Sequence, residues 1–300
     1  MGDLIACKVT VGLVVKNAAS TVKEAIESIV VQDFPHESTE LIVVDGFSVD
    51  KTISIIKSYL YKLKMTAKFF RENQGLGSAR QAVVENAQGD YIVWVDGDMI
   101  LPSDYVRKQV EFMERNPIVG IAKGKYGVLE NQEPIATLEN IELVLSFQHT
   151  GETNAKSLGA SGCIYRTKAI RQVGGFDKRI KGAGEDNDIE DRIRAKGWAL
   201  YVSEARFYEH RRDSWRSLWK EYFWHGYAWR YLFDKNPRML NLHKMVPPIA
   251  IAIEMFRIPD AYRLTRRKIS FLLPLHYLFK RIAWLLGFLK GRLDSRAAWN

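Results

Sequence analysis

Apolar runs and polar breaks alternate along the first hundred residues with two different periods. Residues 8–15 (Lys-Val-Thr-Val-Gly-Leu-Val-Val), 40–45, 68–70 and 90–95 are short, nearly unbroken apolar runs. Runs of that length and composition are the mark of strands buried on both faces. Helices are predicted between them at 20–31, 50–63 and 76–87. The first has Ser20 or Thr21 as cap, Glu24 three residues after Thr21 as in a capping box, and Ala25, Ile26, Ile29 and Val30 behind it. Alternation of this kind predicts an α/β chain with a parallel, doubly wound sheet. Such sheets bind ligands outside the carboxyl ends of their strands. Asn17, Asp45, Asp96 and Asp98 all fall at those ends and can share one cleft.

From 102 to 205 the pattern is mixed. Helices are predicted at 103–115, 134–147 and 185–196, and short strands at 161–165, 198–202 and 206–209. Residues 214–233 then read as one very aromatic helix carrying Trp215, Trp219, Tyr222, Phe223, Trp224, Tyr227, Trp229 and Tyr231. The expected division is a catalytic domain over 1–212 and a helical tail over 213–300.

Charge separates the same two parts. Residues 206–300 hold 19 Lys+Arg against 7 Asp+Glu, a balance of +12; the remainder, 25 against 28, is −3, which together give the net +9. Basic tails suit nucleic acid or anionic membranes. Apolar stretches at 245–256 and 269–289 interleave with these charges. The first is too short to cross a bilayer, and the second carries Pro274, His276, Lys280 and Arg281. An amphipathic helix lying in the membrane interface fits better, with Phe271, Trp284, Leu285 and Phe288 inserted and Lys280, Arg281, Lys290 and Arg292 at the headgroups. Core helices or an oligomer contact are the alternative. The two cysteines, Cys7 and Cys163, form no CxxC or Cys/His cluster, which argues against zinc and a disulfide framework and fits a reducing compartment.

The most informative chemistry is Asp96-Gly97-Asp98, directly after the strand Tyr91-Ile92-Val93-Trp94-Val95. Two acids at i and i+2 past a strand end point to one side, and a cation between them relieves their repulsion. Carboxylate oxygens suit Mg²⁺ or Mn²⁺, ions that usually also hold phosphates. Gly97 lets the backbone bend and a ligand come close. A solvated Asp-Gly turn is the competing reading.

Taken in order, Val14-Val15-Lys16-Asn17, Val43-Val44-Asp45-Gly46-Phe47-Ser48-Val49-Asp50-Lys51-Thr52, Asn73-Gln74-Gly75-Leu76-Gly77-Ser78-Ala79-Arg80, Tyr91 to Asp98, Gly182-Ala183-Gly184-Glu185-Asp186-Asn187-Asp188 and Glu209-His210 resemble the family two glycosyltransferases of GT-A fold. The resemblance spans about residues 8–230. It implies a Rossmann-like, mostly parallel sheet followed here by C-terminal amphipathic helices. It also implies inverting transfer of a sugar from a nucleotide-sugar donor with Mn²⁺ or Mg²⁺. On it, Val15, Asn17, Asp45, Arg80 and Asp96 line the nucleotide sugar, and Asp98 and His210 hold the metal. Asp186 is the general base, with Glu185 beside it raising its pKa or binding acceptor hydroxyls. The chain departs from the family's Pro-x-Tyr-Asn and Asp-Asp-Gly-Ser motifs at 14–17 and 45–48 and lacks the Gln-x-x-Arg-Trp of processive relatives, so a single transfer per encounter is expected.

The basic, apolar tail points to a lipid-linked or glycan acceptor at the cytoplasmic face of a membrane, with a homo-oligomer possible. A sugar nucleotidyltransferase is the second enzyme reading, but Lys16 to Ser20 lacks the glycines that would cradle a triphosphate. A non-catalytic nucleic-acid or membrane adaptor is the third, its aromatic helix stacking bases. The acids at these strand ends repel a phosphate backbone, so no nucleic-acid partner is expected.

Overall fold

The computed structural model describes residues 7–129, 133–153, 157–237 and 247–297, which divide into two compact units. The elements, in chain order, are β1 (Val9–Val15), α1 (Val22–Val30), β2 (Thr39–Asp45), α2 (Thr52–Leu60), β3 (Thr66–Arg71), α3 (Leu76–Asn86), β4 (Tyr91–Asp96) and β5 (Met99–Ile100). Then follow α4 (Tyr105–Arg115), β6 (Val119–Tyr126), α5 (Pro134–Ser146), β7 (Gly151–Glu152), β8 (Cys163–Arg166), α6 (Thr167–Gln172), α7 (Glu185–Ala195), β9 (Ala199–Glu209), α8 (Trp215–Lys235), α9 (Pro247–Thr265) and α10 (Leu273–Ala297).

The first unit comprises Met1–Tyr126, His149–Lys181 and Glu185–Glu209. Its described strands form one sheet in the order β3-β2-β1-β4-β8-β6-β9-β5, with β7 paired to β9. β3, β2, β1 and β4 run parallel, as the alternation predicts. β8 is antiparallel to β4 and β6, where the sequence pattern turns mixed. The inner strands read as unbroken apolar runs because both faces are covered: every residue of β2 is buried, and only Val14 of β1 is less than fully so. β3 lies at the edge and is largely exposed, so its apolar signal is short. The strands expected at 198–202 and 206–209 are one continuous β9, whose pairing with β6 shifts register between Lys123 and Lys125. In the core, Trp94 meets Tyr165 and Phe176 edge-on, with ring centroids 6.0 and 5.4 Å away.

The second unit comprises Gly127–Gln148, Gly182–Gly184 and His210–Asn300. It therefore takes in α5, which lies far from the tail in sequence. The reason is apolar burial: Leu138, Ile141 and Leu145 of α5 pack with Ala261 of α9 and Leu273 of α10. Several aromatic residues of α8 pair with α10. Trp215 and Trp219 meet Phe279 at 4.7 and 5.2 Å, Trp229 meets Trp284 at 6.2 Å, and Phe233 meets Phe288 at 5.5 Å. The two helices cross at glycines: a Cβ on Gly226 would run into the carbonyl oxygen of Trp284, and one on Gly287 into that of Phe223.

The amphipathic face expected of the tail is corrected by this pairing. Trp284 is buried, Leu285 and Phe288 are half-buried, and Lys280 is only 2% exposed; Phe271 alone of the four apolar residues is exposed. The outward stripe of α10 is instead Leu275, Ile282, Leu286, Leu289 and Leu293, and α9 exposes Ile249, Ile253 and Phe256. Residues 268–294 are long and apolar enough to cross a bilayer by length and composition, with a third of the window buried against the rest of the unit.

Candidate active site

The register of the parallel strands aligns their carboxyl ends. Arg71 of β3 pairs with Asp45 of β2, Asp45 with Val15 of β1, and Val14 with Asp96 of β4. Val15, Asn17, Asp45, Asp96 and Asp98 are thus brought to one edge of the sheet, as their sequence positions predict. The loops there are laced together. Ser48 Oγ accepts from the Asn17 N–H (2.8 Å), Asn17 Oδ1 from the Val49 N–H (2.9 Å) and Thr52 Oγ1 from the Ala18 N–H (2.8 Å). Asp45 is fully buried; its carboxylate accepts from the Ser48 N–H at 3.0 and 3.2 Å and faces Arg71 Nε at 3.4 Å. Just before α2, Asp50 accepts from the Thr52 N–H at 3.0 Å.

The turn between β4 and β5 is held from below. Thr21 makes no capping box; its hydroxyl donates to the Gly97 carbonyl at 2.8 Å. A Cβ on Gly97 would lie 2.9 Å from Ala18 Cβ and 3.1 Å from Val15 Cγ1. Packing against protein by itself calls for glycine there. Asp96 Oδ2 accepts from Ser161 Oγ at 2.5 Å, and Oδ1 faces Arg80 Nη2 at 3.4 Å. Both oxygens of Asp96 are thereby oriented. Asp98 is half-buried at the tip of the turn.

Arg80, on α3 and 4% exposed, joins the two acidic motifs, since its guanidinium also bonds the Glu185 carboxylate at the start of α7. Burial alone would lower its pKa, but Glu185, Asp96 and Asp186 raise it further, and the side chain stays charged. Glu185 is 2% exposed, so it turns into the protein toward Arg80. Burial pushes its carboxyl up, to about 8, with Arg80 opposing and Asp186 adding to the rise. Asp186 is half-buried, accepts from the Asn187 N–H at 2.7 Å, and lies 3.5 Å from where a Cβ of Gly159 would sit. The preceding Gly182 is fixed within the second unit, where a Cβ would come 2.5 Å from Ala228 Cβ, so it serves packing rather than flexibility. His210 begins the last segment of the second unit, directly after Glu209, which pairs with Met99.

Two contributors escape sequence reasoning. Ser161 anchors Asp96 from the small-residue loop before β8, and Glu190 of α7 holds that loop by accepting from the Leu158 N–H (3.0 Å) and Gly159 N–H (2.8 Å). Burial, then Asp186, pushes Glu190 up to about 7. Glu190 lies four residues past Asp186, one turn along the helix, which is the only signal the sequence offers.

Elsewhere in the second unit, Glu139, Glu142 and His276 bring ligand-type atoms within 4.8 Å of one another. The cation position among them is taken by Lys280, whose ammonium bonds Glu139 at 2.5 Å and also bonds Glu142.

The family model for glycosyl transferase family 2 matches residues 10–174. An uncharacterised glycosyltransferase of Haemophilus influenzae is 38% identical over 113 residues, covering 37% of this chain and 44% of its own length. The chain therefore spans less than half of that relative. A mannosyltransferase from Pyrobaculum calidifontis, solved with GDP-Man and Mn²⁺, matches with a TM-score of 0.64 at 17% identity, over 96% of this chain and 87% of its own. S. aureus TarS 1-349, solved with UDP, matches with a TM-score of 0.55 at 18% identity, over 97% and 92%. These likenesses carry the GT-A fold. With the family model matching more than half of its length, the chain belongs to glycosyl transferase family 2.

Proposed function

We propose that the protein transfers a sugar from a nucleotide-sugar donor, with inversion, to a lipid-linked or glycan acceptor at the cytoplasmic face of a membrane. The observation that carries the reading is the chain of contacts from Asp96 through Arg80 to Glu185, with Asp186 next to it, along the carboxyl edge of the sheet. Val15, Asn17 and Asp45 occupy the same edge, where the nucleoside would lie. Asp98 would hold a divalent cation, Mn²⁺ or Mg²⁺, which when bound neutralises the departing nucleoside diphosphate. Asp186 then takes the proton of the acceptor hydroxyl on the side opposite the leaving group. Arg80 keeps both acidic motifs in register, and Glu185 fixes the start of the helix that presents Asp186. The solved relatives support the donor class and the metal: one holds GDP-Man with Mn²⁺ and another UDP.

Thermal unfolding in a panel of nucleoside diphosphates tests the donor reading. One base, with Mn²⁺ present, is expected to raise the midpoint by several degrees, since a ligand bound only to the folded state stabilises it. No shift with any base would overturn it.

The membrane reading rests on the solvent-facing stripe of α10 and the basic balance of the tail. Co-sedimentation with vesicles containing anionic lipid is expected, and Leu286→Glu with Leu289→Glu should abolish it. Both residues are exposed, so the fold is spared. Retention of the double variant on vesicles would sink this part.

A further inference from the structure

Phe47 is the most anomalous residue at the donor edge. It follows Gly46 after the end of β2, has φ +60°, and is 44% exposed. An aromatic residue in the left-handed region is strained, and an exposed ring gains nothing from a core. Apolar packing of the folded protein therefore does not explain it. The backbone around it is over-determined. Asp45 holds the Ser48 N–H, the Gly46 N–H donates to Val15 O at 2.8 Å, and Ser48 and Val49 are tied to Asn17, itself at φ +50°. The ring is thus presented outward by two interlaced loops. One partner is already on it: the Arg71 guanidinium lies 4.2 Å from the ring centroid while also facing Asp45. Arg71 keeps more than half of its side chain exposed. A flat aromatic surface extended by a planar guanidinium is the surface on which a nucleobase stacks.

We propose that Phe47, with Arg71 layered on it, is the platform for the donor's base, so that the strain at Phe47 is retained for ligand binding. The proposal rests on the nucleotide-sugar reading above and adds a residue to it. The platform reads the π-face of the base and leaves the diphosphate to other groups.

The test compares wild type, Phe47→Asn and Phe47→Tyr, using the nucleoside diphosphate selected by the thermal panel and, separately, inorganic pyrophosphate, both with Mn²⁺. Asn tolerates the left-handed region, so the ligand-free Asn variant should unfold at the same temperature as wild type or slightly higher. It should bind the nucleoside diphosphate roughly tenfold to a hundredfold more weakly, bind pyrophosphate like wild type, and recover nucleotide affinity as Tyr. Undiminished nucleotide affinity in Phe47→Asn overturns the platform while leaving the donor reading intact. Equal loss for pyrophosphate also overturns it, because the defect is then not in the base. A wild type that binds no nucleoside diphosphate overturns both readings.

Discussion

Replacing Asp186 by Asn should lower the turnover of sugar transfer by roughly a hundredfold to ten-thousandfold, the usual contribution of a positioned general base. The donor KM should change little, because the role proposed for Asp186 is on the acceptor's proton. The substitution is a mild one structurally: the bond from the Asn187 N–H to Asp186 Oδ1 can be accepted equally by an amide oxygen. Asp98→Ala should give a loss of similar size with a different signature. Stabilisation by nucleoside diphosphate should disappear together with the response to added Mn²⁺, because the carboxylate proposed to face the ion is gone. Nucleoside diphosphate release, measured beside thermal unfolding, separates the two. Unchanged turnover in Asp186→Asn would remove that residue from the role of base. A full Mn²⁺ response in Asp98→Ala would move the ion elsewhere.

The second large effect is on stability. Lys280→Met should destabilise the protein by about 3–5 kcal/mol, the range seen when one member of a buried ion pair is removed. In wild type the Lys280 ammonium sits between Glu139 and Glu142 within the second unit, with Tyr222 against it at 4.6 Å from the ring centroid. Burial alone would lower the lysine's pKa, but the two carboxylates raise it far more, so the cation is held. His276 cannot substitute at neutral pH: burial, then Lys280, pushes it down to about 4. In the methionine variant the two carboxylates are buried without their cation and their pKa values rise on folding. A raised carboxyl stabilises below its unfolded pKa and loses that contribution as pH rises. The deficit should therefore be largest at pH 8 and shrink toward pH 5, as the carboxyls or His276 take up protons. Urea midpoints at the two pH values check this. Adding Glu139→Gln and Glu142→Gln to the lysine variant should recover most of the loss. A pH-independent deficit would show that lost packing, not charge, is responsible.

How far the sequence was legible follows from where each signal resides. The acids at the ends of β2 and β4, and Asn17 just past β1, were readable because a strand buried on both faces leaves an unbroken apolar run, and its last residue is easily located. Arg80 and the Glu185-Asp186 pair were readable only as members of an ordered set. Nothing local says that one guanidinium bonds Glu185 and lies 3.4 Å from Asp96. Ser161 was not readable, because a serine in a loop of small residues carries no periodic signature, and Glu190 had only its place one helical turn past Asp186 to mark it. The tail shows the opposite failure. Lys280 and Trp284 fit an interfacial helix by composition, yet α5, some 140 positions earlier, supplies the carboxylates for Lys280 and α8 the ring against Trp284. Long-range partners of this kind are invisible to any window along the chain.

The glycine crossing of α8 and α10 bears on where this helical pair can live. Contact at Gly226 and Gly287 is made between main chains, and its attraction is dispersion over a close-fitting surface. That attraction requires no water to be expelled, so it holds equally against water and against acyl chains. The stripe from Leu275 to Leu293 can therefore exchange one medium for the other while the seam behind it stays shut. The glycine contact thus contributes in either medium, whereas the aromatic pairs beside it gain more from burial in water than among acyl chains.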